Sequence, residues 1–179
     1  MPQLVALSVS IAVLGAIWAF LALGPLAGFV LVWAGFIAWG CFFHTGGDQK
    51  ALIKTICGNI FGIVVAWIAL LLIVKIGGGL VVNAIIVGIT VFFLVIVAKI
   101  DQLSAVPANV YGYAATVAYS LHQPSAAGVT PDVMGTGPLF SLTAPNFANP
   151  LVLLIVSMVL GAIFGFVSGK VAGALTKKA

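Results

Sequence analysis

The chain has 179 residues, of which 63% are hydrophobic and only 6% charged, with a formal net charge of +4. Its lysines and aspartates, with no Glu and no Arg, cannot cover a soluble domain, whose surface needs roughly a quarter of all residues charged. A water-facing fold is therefore excluded, and so is a nucleic-acid partner, because the lysines never cluster with aromatics; the solvent that remains is lipid.

Six apolar runs reach the ~20 residues that cross a ~30 Å hydrocarbon core. The first covers 4–23 and stops at Gly24-Pro25. It has no basic lead-in and is longer than a signal-peptide core, so it is expected to be retained. The second covers 26–43, and His44-Thr45-Gly46-Gly47-Asp48-Gln49-Lys50 closes it with turn formers and charge. The third, 51–74, is followed by Lys75 and Gly77-Gly78-Gly79. The fourth, 80–98, ends at Lys99-Ile100-Asp101-Gln102. The fifth, 103–121, is the most polar and contains Pro107. A loop over 122–149, rich in Pro, Gly, Ser and Thr, leads to the sixth run at 150–175. Barrel strands would alternate apolar and polar residues, whereas these runs are apolar on every face. The expected fold is all-α: one polytopic membrane domain of six transmembrane helices.

Lysine placement sets the orientation. With six spans, Lys50, Lys54, Lys99, Lys170, Lys177 and Lys178 share one side and only Lys75 lies opposite. Cytoplasmic loops are enriched in Lys, so both termini are expected in the cytoplasm and the 122–149 loop outside. Lys54 and Lys170 sit slightly within their spans, from where a four-carbon stem can snorkel to the interface.

Spans one to three and four to six invite comparison as two halves. Gly58-Asn59-Ile60-Phe61-Gly62 in the third parallels Gly161-Ala162-Ile163-Phe164-Gly165 in the sixth, and Trp33-Ala34-Gly35-Phe36 parallels Pro107-Ala108-Asn109-Val110 at a similar depth. A 3+3 repeat of three helices each must be inverted across the membrane; coincidence among 21 glycines is the competing reading. Ser157, Gly161, Gly165, Gly169 and Gly173 recur every four residues, which makes one small-residue stripe on the sixth span. Gly58, Gly62 and Ala66 repeat the device on the third. Such stripes let backbones approach closely, and the two are expected to meet, within one chain or between chains.

No Asp, Glu, Arg, Lys or His lies in the middle of any span, where proton relays and voltage sensors place theirs. The interior polar residues are neutral: Asn59, Asn83, Thr90, Asn109, Tyr111, Tyr113, Thr116 and Tyr119, with Trp33, Trp39 and Trp67 adding aromatic faces. Taken singly, each asparagine reads as interhelical glue. Taken together, Asn59, Asn83, Asn109, Tyr111, Tyr113, Thr116 and Trp33 form the candidate lining of a pathway for a small neutral solute. His44 and His122 mark its two mouths and are candidate gates. Cys41, His44 and Cys57 lack a fourth ligand and metal-site spacing, so no metal or other cofactor is expected. No nucleophile–base grouping is present, and an enzyme is not expected.

Trp33-Ala34-Gly35-Phe36 with the small and aromatic residues up to Phe43, then Gly46-Gly47, the Val106-Pro107 entry to the fifth span, and Gly161-Ala162-Ile163-Phe164-Gly165-Phe166 carry a resemblance. They resemble the small bacterial inner-membrane proteins grouped as the domain of unknown function 1097 family. The long 122–149 loop departs from the shorter connection expected there. The resemblance implies an inner-membrane location and a compact multi-span fold, and supplies no substrate. The expectation is a channel or facilitator for a urea-, amide- or ammonia-type solute. An ion-coupled secondary transporter and a non-transporting scaffold or accessory subunit are the alternatives. So small a protein has few helices with which to enclose a pathway and shield it from lipid, so a homo-oligomer is expected.

Overall fold

The computed structural model describes residues 1–122 and 142–176. Every regular element in them is helical, apart from an isolated bridge between Ala27 and Val30. The helices are α1 (Gln3–Leu23), α2 (Val32–His44), α3 (Gln49–Ile76), α4 (Gly79–Ile96), α5 (Val106–His122) and α6 (Pro150–Leu175). Two 3-10 turns, Val97–Lys99 and Asp101–Leu103, join α4 to α5.

Local chemistry sets the helix ends. The Asp48 carboxylate accepts the Ala51 N–H at 2.7 Å and caps α3, and Gly77, at φ 61°, ends it in the left-handed conformation. Asp48→Ala is expected to cost ~1 kcal/mol, the usual worth of such a cap, read as a small drop in thermal stability in detergent. At α6, Pro150 occupies the first turn and Asn149 caps it, accepting from Leu151 N–H at 2.9 Å. The Asn149 amide also donates to Leu142 O at 3.0 Å and Ala144 O at 3.1 Å, which folds the lead-in onto the helix.

Four helices are long and apolar enough to cross a membrane: Gln3–Leu23, Gln49–Ile76, Gly79–Lys99 and Pro150–Leu175. The second expected span is corrected. Its apolar run starts at residue 26, but the helix starts only at Val32 and has 13 residues, about 20 Å at 1.5 Å per residue. Pro25 and Gly28 (φ 85°) keep the first part of the run out of the helix. Side chains of other helices hold the start of α2 in place. Leu31 N–H, left open just ahead of the helix, donates to Ser157 Oγ at 2.8 Å, and Trp18 Nε1 donates to Val32 O at 3.0 Å. Irregular backbone is tolerated at membrane depth when protein satisfies it in this way. The fifth helix is also short, at 17 residues, because a 3-10 turn occupies its approach and Pro107 stands in its first turn.

α5 lies along α3, and α2 lies along α6. These four meet in a core built around Ala34, Ala38, Ile63, Ala115, Leu154 and Met158. α1 flanks α6 and α2, seated by the buried Trp18 and Ala22. α4 flanks α3 and α5, seated by Ile86 and Leu94. Both flanking helices turn large apolar side chains outward: Phe20 is 73% exposed, Leu80 81% and Phe92 61%. In water that face would be a severe liability, whereas against acyl chains it is the contact surface.

One face of the bundle gathers both chain ends, since the Met1 ammonium donates to Leu175 O at 3.2 Å. The α2–α3 turn and the α4–α5 connection lie there too, tied by a 2.9 Å ion pair from Lys54 to Asp101. Asp101 is mostly exposed, so this pair marks position more than it stabilises. Lys50, Lys54, Lys99 and Lys170 belong to this terminal face and Lys75 to the opposite one. Lys177 and Lys178 lie outside the described residues.

Candidate functional site

The interior polar residues fall mainly on the contact between α3 and α5. Asn109 is fully buried, and its amide donates to Leu94 O at 2.9 Å and Leu103 O at 3.1 Å. It thereby closes carbonyls that the end of α4 and the 3-10 turn leave open. The Tyr113 hydroxyl and Thr90 Oγ1 are 3.0 Å apart, and Thr90 also donates to the Ile86 and Val87 carbonyls. Thr116 donates back to Gly112 O at 2.9 Å within its own helix. Tyr111 is half-buried against the central core. Asn83 is half-buried near the start of α4. Trp33 is 39% exposed on the outer side of α2. The structure thus brings Asn59, Asn109, Tyr113 and Thr116 to one interface, and places Asn83 and Trp33 away from it.

Asn59 differs from the others. It is 1% exposed, and neither its Nδ2 nor its Oδ1 has a hydrogen-bond partner among the described residues. The Oδ1 of Asn109, seated over Gly58, is likewise without a partner. A buried polar group left unpaired costs ~1–3 kcal/mol, so an amide with all its groups unpaired requires an explanation.

Two clefts enter the bundle from opposite faces. The terminal-face cleft, of about 560 Å³, lies between α1, α2 and α6 and is lined by Gln3, Leu7, Phe43, Gly47, Gly169 and Gly173. The opposite cleft, of about 570 Å³, is lined by Phe29, Leu31, Tyr119, Asn146, Phe147 and Leu153. The side chains of Leu154, Met158, Trp39 and Phe42, on the helices between them, are buried.

The small-residue stripes do meet other helices, but the partner of the α6 stripe is corrected. It packs against α2 where α3 was expected. A Cβ on Gly161 would overlap the Gly35 carbonyl, and one on Gly165 would lie 3.0 Å from ring carbons of Trp39 and Phe42. Flat aromatics and a facing glycine on α2 fill the groove that the stripe creates, and Trp39 Nε1 anchors them by donating to Ser168 Oγ at 3.0 Å. Gly169 has only ring atoms of Phe42 and Phe43 at 3.9 Å, and Gly173 meets nothing within 4 Å and faces the cleft. On α3, Gly58 and Gly62 seat Ala108, Asn109 and Tyr113 of α5. Gly35 carries no sequence periodicity of its own that would have revealed it, whereas Gly112 belongs to a four-residue repeat of small residues, Ala108, Gly112, Thr116 and Ser120, that could have revealed it.

His44 is exposed at the end of α2 on the terminal face. His122 ends α5 on the other side, and its side chain and most of the 122–149 loop lie outside the described residues. Cys41 is buried and Cys57 half-buried. Among the described residues no three His, Cys, Asp or Glu side chains come together as a metal site would require. No curated protein and no solved structure matches this chain. Residues 8–173 match the family described as protein of unknown function DUF1097, and the chain belongs to that family.

Proposed function

We propose that the chain crosses the bacterial inner membrane six times, with both termini in the cytoplasm, and passes a small neutral solute of the urea, amide or ammonia type. The observation that carries this reading is Asn59: a buried amide on an uncharged interface, with its donors and its acceptor unpaired. A primary amide presents two N–H donors and a carbonyl acceptor, the complement of a urea or small carboxamide. Among the described residues every Lys and Asp lies within two turns of a helix end or in a connection, so a permeating ion would meet no counter-charge in the middle of the bundle. A homo-oligomer accommodates the pathway best, since α1 and α4 turn large apolar side chains outward to neighbours.

A second reading, an ion-coupled transporter built as a 3+3 inverted repeat, is favoured by the packing. α3 pairs with α5 as α6 pairs with α2, and α4 flanks the first pair as α1 flanks the second. Gly58 seats Asn109 in one pair as Gly161 seats Gly35 in the other, and Gly62 meets Tyr113 as Gly165 meets Trp39. The two short helices, α2 and α5, occupy corresponding places in the halves, the position at which transporter binding sites form.

Flux into proteoliposomes decides between them. Urea, acetamide and ammonia are expected to enter faster than into protein-free vesicles without any ion gradient, and Asn59→Ala is expected to slow the permeant solute. Saturable uptake that depends on a Na⁺ or proton gradient would select the second reading. No acceleration for any solute, with and without gradients, would abandon both and leave the scaffold role.

A further inference from the structure

If the two halves are equivalent, the equivalence is broken in one respect. The register that aligns Gly161 and Gly165 with Gly58 and Gly62 carries the cleft-lining Gly169, Ala172 and Gly173 onto Ala66, Ala69 and Leu70. Those three are at most 2% exposed, and Ala66 and Ala69 pack with Ile86, Val82 and Tyr113. The register that aligns Gly35 with Asn109 carries Phe43 and Gly46, also in the cleft lining, onto Val117 and Ser120. Val117 packs into the same cluster and Ser120 is 1% exposed. One of two equivalent clefts is therefore open at the terminal face, and its counterpart at the opposite face is filled.

Two details of the filled side fit a closed state better than a permanent core. The Ser120 hydroxyl is buried with no hydrogen-bond partner among the described residues, an odd choice for a site that is never wet. The filled end is also fastened by a contact that a small motion can break: Trp67 Nε1 donates to Leu142 O at 2.8 Å, joining α3 to the segment that leads into α6.

We infer that the open α1–α2–α6 cleft and its filled α3–α4–α5 counterpart exchange. In a second state the α3–α4–α5 cleft opens at the opposite face, wetting Ser120 and Ala69, while the α1–α2–α6 cleft closes over Gly169 and Gly173. The Trp67–Leu142 hydrogen bond is the latch that holds the present state. This rests on the inverted-repeat reading and not on the identity of any solute.

The test is chemical modification, which needs no transported solute. Single cysteines are introduced at Gly173 and at Ala69 in a chain carrying Cys41→Ala and Cys57→Ala. The protein is reconstituted into phosphatidylethanolamine–phosphatidylglycerol vesicles and exposed to a sulfonated maleimide. Gly173→Cys is expected to react quickly and Ala69→Cys slowly but measurably. Trp67→Phe removes the latch and should speed Ala69→Cys labelling about fivefold, the shift that one ordinary hydrogen bond makes in a two-state balance. Gly173→Trp fills the open cleft, where nothing lies within 4 Å of the new Cβ, and prevents its closure; it should slow Ala69→Cys labelling by several-fold. A merely loosened protein would react faster in both backgrounds. Ser120→Cys serves as a second reporter should Ala69→Cys fold poorly. The inference is overturned if neither reporter reacts while Gly173→Cys does, if Trp67→Phe leaves the reporter rate unchanged, or if Gly173→Trp fails to slow it. Vesicles that conduct solute without this reciprocity would overturn the exchange alone, and reciprocity without flux would overturn only the solute.

Discussion

Gly62→Ala is expected to leave little monodisperse protein after detergent extraction, and whatever survives should melt well below the parent. A single methyl has this effect because of where it would stand. A Cβ on Gly62 would overlap the Asn109 carbonyl oxygen and crowd the Tyr113 backbone N at 2.7 Å. These are main-chain atoms of a helix, which cannot rotate aside as a side chain can. Overpacking a tight core costs ~1–3 kcal/mol when side chains can give way, and here the two helices must separate along their whole contact. Separation also breaks the paired approach at Gly112, whose Cβ position is occupied by the Asn59 carbonyl. In lipid no hydrophobic drive between the helices would offset the lost van der Waals contact. Gly165→Leu should be harmful but milder, since Phe42 and Trp39 are side chains that can shift. Gly88→Ala, with nothing within 4 Å of the new Cβ, should be silent. Extraction yield and melting temperature of the three variants, measured side by side, check the ranking. Equal behaviour of Gly62→Ala and Gly88→Ala would mean that α3 and α5 do not touch through these glycines.

The helices themselves were legible because lipid makes hydropathy a direct readout of burial. The run at 150–175 became α6 with the same bounds, and among the described residues Lys50, Lys54, Lys99 and Lys170 stand toward one face of the bundle and Lys75 toward the other. What stayed hidden has a physical reason in each case. The run at 26–43 is apolar throughout, and hydropathy cannot register that Pro25 and Gly28 withhold its first turns from the helix. The tell lies in Ser157, far away in sequence, which accepts the open Leu31 N–H. The stripe on α6 announced a close contact without naming its partner, because a groove of glycines accepts either another glycine or a flat ring. α2 supplies both in Gly35, Trp39 and Phe42. The polar residues posed the hardest problem. Composition does not distinguish an asparagine that ties two helices from one that waits for something, and only the partners in space separate Asn109 from Asn59.

That separation yields the second large effect. Asn109→Leu should destabilise the fold strongly, whereas Asn59→Leu should leave stability unchanged or raise it. Leucine shares asparagine's branched skeleton but is the larger side chain, so neither change opens a cavity; both add bulk at the same interface, and the difference between them rests on hydrogen bonding. Removing the Asn109 amide strands the Leu94 and Leu103 carbonyls, which it reaches at 2.9 and 3.1 Å. Each stranded acceptor costs ~1–3 kcal/mol away from water. Asn59 has no such partner to strand, so replacing it removes an existing desolvation cost and adds apolar contact on the α3–α5 interface. Residues retained at a cost to stability are those whose chemistry is needed for something else. The expected pattern is therefore crossed: Asn59→Leu melts at or above the parent temperature and loses solute flux, while Asn109→Leu loses stability before any question of flux arises. Thermal melts in detergent, paired with flux in the same preparations, measure both axes. An Asn59→Leu protein that is destabilised as much as Asn109→Leu would show that Asn59 is structural glue, and the polar site assigned to this interface would have to be given up.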